Sequence, residues 1–272
     1  VADFHEVTSL AIEAMLSSPD FLFIMDSLDA ASSPASPELS GHAIAARLSY
    51  LLWNTVPDEE LLRAARSGEL QTRKGLVAQV DRMLASERLV DGANAFLEDF
   101  LHLDAMATIE KDKLIFPAFN AIVAQDAREQ MLKFLDYHLL ENEESYPDIF
   151  TARETFLTRP LGMIYAVPVR KTEGWEKVRF ADDDLRGGLL SHPGFTALHS
   201  HPGRSSATLR GIAVRELLLC QSVAPAPAAV NFTVVQDTNN PDFKTARARL
   251  TQHRTDEACA SCHKFIDPIG LA

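Results

Sequence analysis

The chain has no apolar run near the roughly 18 residues that a membrane-spanning helix needs. No secretory signal peptide is visible at its start. It is also short of positive charge: 26 Lys and Arg stand against 38 Asp and Glu, a formal net charge of −12. Nucleic-acid binding needs a basic surface to meet phosphates, so that class is excluded. A basic redox partner protein suits this charge, although solubility alone also accounts for it. Cysteine is scarce, with three in 272 residues. A zinc knuckle needs four ligands, and beyond Cys259 and Cys262 only Cys220 remains. No repeat of fixed period is found. What remains is a chain long enough for one large domain or two small ones, with 46% hydrophobic residues to build a core.

The chemistry is concentrated at the C-terminal end, in Cys259-Ala260-Ser261-Cys262-His263. Cys-x-x-Cys-His is the attachment pattern of a c-type haem. Two thiols add across the two porphyrin vinyl groups, and the two-residue spacer sets the sulfurs at the separation those vinyls require. The histidine follows at once and falls under the iron as its proximal ligand. Three other readings compete. Zinc lacks ligands, as above. A thioredoxin-like pair opens a helix inside a βαβ unit, which the surrounding sequence does not offer. A disulfide across two residues is strained and rare. The expected cofactor is therefore one haem c, with its iron, per chain. Cys259, Cys262 and His263 hold it, and His263 is the metal ligand. The stretch Asp267-Pro268-Ile269-Gly270 reads as a turn. There the Pro268 carbonyl would accept the Nδ1 proton of His263 and orient the ring; an ordinary turn is the alternative. Haem c is attached outside the cytoplasm, so the protein is expected to be exported or periplasmic, with a leader once preceding Val1. Cys220, in Leu217-Leu218-Leu219-Cys220, is expected to be a buried, inert thiol.

Helical periodicity dominates the first 150 residues. Residues 3–17 space Phe4, Val7, Leu10, Ala11, Ala14 and Met15 as one helix, stopped by Ser18-Pro19-Asp20 before a short turn through Phe21-Leu22-Phe23. Ala30 to Pro37 reads as a linker. Ser40 is placed to cap a helix through Trp53, with Ile44, Leu48, Leu51 and Leu52 on one face. Pro57-Asp58-Glu59-Glu60 opens the next helix, and Gly68 closes it. Further helices are predicted at about 72–85, 87–103 and 119–141, joined by short loops into an antiparallel array. Around residue 150 the pattern breaks at Tyr146-Pro147-Asp148 and Arg159-Pro160. Val167-Pro168-Val169 and Val178-Arg179-Phe180 suggest short strands. The acidic runs 141–144 and 182–184 read as solvated loops, with a calcium site as the alternative. Ser205 or Ser206 caps a helix to about Cys220. Ala224-Pro225-Ala226-Pro227 is an extended arm, and Thr245 caps a last helix, Ala246 to His253. The fold class is thus mainly α: a helical array, then an irregular, partly helical module that ends in the haem motif. The expected division is 1–39, the end of an N-terminal helical module and linker; 40–150, a helical module; and 151–272, the haem-bearing module.

The chain resembles a family of multi-module, haem-c-containing proteins from planctomycetes, myxobacteria and related bacteria, for which no common activity is established. The resemblance rests on several stretches. Ala14-Met15-Leu16-Ser17-Ser18-Pro19-Asp20-Phe21-Leu22 looks like the end of the family's first module. Arg47-Leu48-Ser49-Tyr50-Leu51-Leu52-Trp53 with Pro57-Asp58 looks like the start of its helical module. Arg186-Gly187-Gly188-Leu189-Leu190, Ser200-His201-Pro202, Arg204-Ser205-Ser206, Arg210-Gly211 and Arg215 to Cys220 look like the module that ends in the haem site. His253-Arg254, the Cys-x-x-Cys-His motif and Asp267-Pro268-Ile269-Gly270 close it. Two departures stand out. Ser205-Ser206-Ala207 replaces the family's usual Thr-Ser-Pro, and the family usually continues into another module past the position of Ala272. The resemblance implies an exported bacterial cytochrome-c-like protein and supplies no reaction.

The second face of the iron decides the function class: a Met or His ligand makes an electron carrier, an open face permits peroxide or small-ligand chemistry. His192, His199 and His201 cluster between residues 192 and 204. His201, before the turn Pro202-Gly203, is the candidate sixth ligand, with His253 as its rival and Met163 as the best-placed methionine. Arg204, Arg210 and Arg254 are candidates to hold haem propionates. The leading reading is electron transfer through one covalent haem, within or docking to a larger assembly. A peroxidase-like enzyme using His201 and Arg204 is the second. An accessory interaction subunit is the third, because about 250 residues precede the motif, more than a minimal carrier uses.

Overall fold

The computed structural model describes residues 3–23, 26–29, 37–225, 245–255 and 257–271. The fold is mainly helical, as the periodicity predicts, with one small two-stranded sheet among the described residues. Most of the expected linker from Ala30 and the outer half of the arm at Ala224 to Pro227 lie outside them. The chain divides into two compact units, Val1–Phe96 and Leu97–Ala272. The change of texture near residue 150 falls inside the second.

The first unit holds α1 (Phe4–Leu16), α2 (Pro19–Leu22), α3 (Gly41–Trp53), α4 (Glu59–Arg66) and α5 (Arg73–Leu84); α6 (Leu89–Phe100) contains the point of division. The apolar residues spaced along α1 bury nothing: none of its residues is buried. Ser40 caps α3 as expected, its Oγ accepting the Ala43 N–H at 3.2 Å. The buried face matches the predicted one in part: Ile44, Leu48 and Leu52 pack half-buried against the core, Leu51 is 71% exposed, and the fully buried side is filled by Ala43, Ala45, Ser49 and Trp53. Small residues let α3 approach α4, and Trp53 then fills the space, donating its Nε1–H to the Met83 carbonyl at 3.0 Å. Asp58 is the cap of α4, accepting from the Leu61 N–H at 2.9 Å, so Pro57 stands just outside the helix. Gly68 follows in the left-handed region at φ 76°, where glycine carries no Cβ penalty.

The second unit is built on α7 (Ala121–Leu135), capped by Asn120 and prolonged by a π turn over Asp136–Glu141. Strand β1 (Glu154–Leu157) pairs antiparallel with β2 (Glu176–Arg179), Glu154 opposite Arg179. The strand expected at Val167-Pro168-Val169 does not form, since Pro168 has no N–H for a ladder. Thr155-Phe156-Leu157 supplies the first strand because those three side chains are buried. Arg159-Pro160 does not break a helix but begins one, α8 (Arg159–Tyr165), with proline in the first turn. Then come α9 (Pro193–Leu198), α10 (Ala207–Ala213) with a π turn over Val214–Leu218, α11 (Ala246–Thr255) and α12 (Glu257–Gly270). Ser206 caps α10 and Thr245 caps α11, as predicted. The leftover Cys220 is exposed rather than buried. The π turn ends the helix before it, and Cys220 sits at φ 52° outside the apolar face.

The core of this unit contains a polar chain. Tyr165 O–H donates to Gln130 Oε1 at 3.2 Å. Gln130 Nε2 donates to Thr155 Oγ1 at 3.1 Å and to the Phe156 carbonyl at 2.9 Å. Thr155 Oγ1 lies 2.8 Å from His192 Nε2, and His192 Nδ1 lies 3.1 Å from the Leu189 carbonyl. A carbonyl can only accept, so Nδ1 carries the proton and Nε2 accepts from Thr155. The ring of Phe134 packs between His192 and His138, with centroids 4.6 and 4.4 Å away. The side-chain polar atoms of Tyr165, Gln130, Thr155 and His192 thus partner one another or a carbonyl, which is what makes their burial tolerable. Burial holds His192 neutral and pushes its pKa down to about 4.

That depression carries a sign. Between pH 6.5 and about 4 the unfolded chain binds a proton that the folded chain refuses, so stability is complete above pH 6.5 and falls as the solution is acidified. The expected loss is roughly 2 kcal/mol by pH 5 and about 3 kcal/mol in full. Urea unfolding of the parent and of His192→Gln at pH 7 and pH 5 measures it. The variant should be weaker at pH 7 and show a shallower fall; an equal fall in both would assign the acid sensitivity elsewhere.

Candidate functional site

The turn predicted over Asp267–Gly270 is helix. Pro268 lies inside α12, which continues to Gly270. A proline there removes the N–H that would have met the Lys264 carbonyl. Tertiary contacts outweigh that loss. Ala260, Ile266, Asp267 and Gly270 form the buried face of α12, and α10 packs along it. At two points the helices touch backbone to backbone. A Cβ on Gly211 would lie 2.0 Å from the Ile266 carbonyl oxygen, and one on Gly270 would lie 1.7 Å from that of Ala207. Arginines pin the pair: Arg210 Nε donates to the Gly270 carbonyl at 2.9 Å, and Arg215 donates twice to the Phe265 carbonyl, at 2.9 and 2.7 Å.

On this helix Cys259 is half-buried and Cys262 is exposed, three residues apart and so on neighbouring positions of one face. His263 follows, its side chain 18% exposed. Its Nδ1 lies 3.0 Å from Asp267 Oδ1, one turn further on. Asp267 is fully buried, and Thr208 on α10 donates to the same oxygen at 2.8 Å. The partner assigned to the ring from sequence, the Pro268 carbonyl, instead accepts the Leu271 N–H at 3.2 Å. Helical geometry decides this, because it directs that carbonyl along the axis while residue i+4 stands beside the histidine. Asp267 and Thr208 are therefore site residues that the sequence reading missed. The signal was there: an acid four residues after His263, hidden by Pro268 and Gly270, which read as a turn.

Of the three clustered histidines, His192 belongs to the core network. His201 is half-buried on a tight turn, its N–H bonded to the Arg204 carbonyl at 3.0 Å and its own carbonyl accepting from Arg204. The turn is held from outside: Lys111 Nζ donates to the Ala197 carbonyl at 2.8 Å, to Ser200 Oγ at 2.9 Å and to the Ser200 carbonyl at 3.3 Å. Burial, then the charges of Arg204 and Lys111, lower the His201 pKa. His199 differs: its Nε2 is buried with no hydrogen-bond partner among the described residues. Its pKa is pushed down to about 4 by burial first, with His102 and Arg210 adding to it. Arg210 is the residue that bonds the end of α12. Arg204 is exposed. Arg254 Nη2 donates to Thr251 Oγ1 at 3.3 Å, and its Nε is buried with no partner among the described residues. The side chain of His253 lies outside the described ones. Met163, which a core role would bury, is 74% exposed.

The donor set fits a covalently held haem. Two thiols and an imidazole stand on one helical segment, and the hydrogen bond from Nδ1 to a carboxylate orients the ring as a haem-ligating imidazole would require. The second carboxylate oxygen, Oδ2, has no hydrogen-bond partner among the described residues. A separate cleft of about 880 Å³, lined by Glu98, Asp104, Lys111, Phe119, Asn120 and Arg128 among others, includes none of the motif residues. Its Arg128 is already paired with Glu98.

Residues 39–167 match PSD4, a protein of unknown function (DUF1592). Residues 186–272 match PSCyt3, a protein of unknown function (DUF1588). The two matches fit a multi-module chain. No curated protein and no solved structure matches it.

The backbone contacts between α10 and α12 yield a direct test. Gly270→Ala and Gly211→Ala should each destabilise the second unit by about 1–3 kcal/mol, the range for forcing atoms into a packed interface. Chemical unfolding measures this, and parental stability in either variant would show that the helices do not touch there.

Proposed function

From a chain that matches two such modules, we propose an exported c-type cytochrome that transfers electrons through one haem held by Cys259, Cys262 and His263. The observation that carries the reading is the His263–Asp267 pair: a Cys-x-x-Cys-His imidazole whose Nδ1 is oriented by a buried carboxylate one helical turn away. The name PSCyt3 agrees with a cytochrome-like module. A haem so held supplies a one-electron ferric–ferrous couple. The chain's own residues do the rest. The two thiols fix the ring to α12, and Asp267 orients the imidazole. Arg254, with its orphaned Nε, is the residue we assign to a propionate; Arg204 is exposed and serves the rim. For the sixth position His201 is the candidate from sequence. His199 is the candidate from structure, because its buried Nε2 lacks a partner among the described residues and Arg210 connects its surroundings to α12. The net negative charge suits a basic redox partner, and the first unit offers surface for docking to a larger assembly.

Production in a cell with haem-c maturation should yield a protein heavier than the polypeptide by one haem, which acid acetone does not extract. Cys259→Ser or Cys262→Ser should leave one thioether and shift the reduced haemochrome band; the double variant should lose the haem on denaturation. A parent chain recovered from such a cell without covalent haem would overturn the proposal. Visible spectra of His199→Ala and His201→Ala then assign the sixth ligand. The variant that turns high-spin and binds carbon monoxide readily has lost it. If neither changes, the carrier reading loses its two candidates and the peroxidase-like alternative gains.

A further inference from the structure

We propose that Asp267 sets the electron affinity of the iron, acting through His263 as a buried anionic partner and making this a low-potential haem that serves as an electron donor. The inference rests on the haem reading above. Three observations support it. Asp267 is fully buried, so a charge on it would not be screened by water. Its Oδ1 takes the Nδ1 proton of His263 at 3.0 Å. Its Oδ2 has no hydrogen-bond partner among the described residues, so little else disperses the charge.

A neutral carbonyl in this position would orient the ring and stop there. A carboxylate also pulls the Nδ1 proton, raising electron density on the imidazole and the strength of its donation to the metal. The ferric state carries one more positive charge than the ferrous state, so a buried anion one imidazole away favours ferric iron. Reduction becomes harder, and the reduced haem gives up its electron more readily. Thr208 moderates the effect. Its O–H donates to the same Oδ1 at 2.8 Å and draws charge away from the His263 bond. Thr208 is held in place because the α10–α12 contact at Gly211 and Gly270 leaves no slack. Asp267 is thus a positioning residue whose charge, not only its shape, matters.

The two residues make predictions of opposite sign. In the holoprotein, Asp267→Asn keeps the shape and an acceptor oxygen but removes the charge. The ferric-to-ferrous ratio at a fixed potential should fall at least tenfold, a rise in midpoint of 59 mV or more for one electron. Thr208→Val removes the competing donor, strengthens the carboxylate's hold on Nδ1 and should lower the midpoint. Redox titration followed by visible absorption measures both. A rise in the first variant with a fall in the second supports the proposal. No shift for Asp267→Asn, or shifts in the same direction for both, overturns it, since a merely structural role would disturb the site alike. If Asp267→Asn does not fold, Thr208→Val decides alone: a lower midpoint supports the proposal, an equal or higher one refutes it. A parent without covalent haem would instead refute the reading beneath, and the two failures are thereby distinct.

Discussion

The backbone contact between α10 and α12 is the constraint on which the candidate site depends. Two glycines, Gly211 and Gly270, let the helices meet at their carbonyls, and neither tolerates a Cβ at that separation. Because the helices are this close, Thr208 reaches Asp267, and Asp267 is sealed from water. A sealed carboxylate is costly unless it is hydrogen-bonded, and its Oδ1 is met by the motif histidine and by Thr208. Packing at Gly211 and Gly270 thus determines the electrostatics at Asp267.

The surroundings repeat this logic at lower intensity. Arg210 and Arg215 reach across from α10 and its π turn to carbonyls of α12. The proline inside that helix removes the N–H that would have met the Lys264 carbonyl, and the arginines bond the adjacent Phe265 carbonyl and the terminal Gly270 carbonyl. Lys111 does the same for the His192–Arg204 stretch, spending its ammonium on carbonyls and a hydroxyl instead of a carboxylate. Desolvation lowers its pKa accordingly. Cationic side chains here act as mortar for irregular backbone, which is where a mainly helical module without a large sheet needs it.

Much of the helical scaffold was legible because its signals are local. Ser40, Asp58, Ser206 and Thr245 each stand within three residues of the amide they cap, and a cap needs no tertiary partner to work. Which face of a helix is buried was less legible. In α3 the stripe of Ile44, Leu48, Leu51 and Leu52 packs on the core at all but Leu51, yet its fully buried positions are mostly alanines and Ser49, because close helix approach favours small residues over large ones. Along α1 the spacing was right and the burial absent. Periodicity reports a stripe, not what covers it.

The sequence by itself determined the chemistry: two thiols and a histidine at fixed spacing, a mainly helical chain, an acidic surface. Those follow from residue identity and from separations within one helical turn. Only the tertiary structure decided which group holds the motif histidine and in what electrical environment. Pro268 and Gly270 carry the local signature of a turn, and a turn would have offered the ring a neutral carbonyl. Packing against α10 kept the segment helical, turned Asp267 toward His263 and removed it from water. Local propensity is worth a few kcal/mol at most for such residues; the burial of a helix face against its neighbour exceeds it, and with it the assignment of the carboxylate was made.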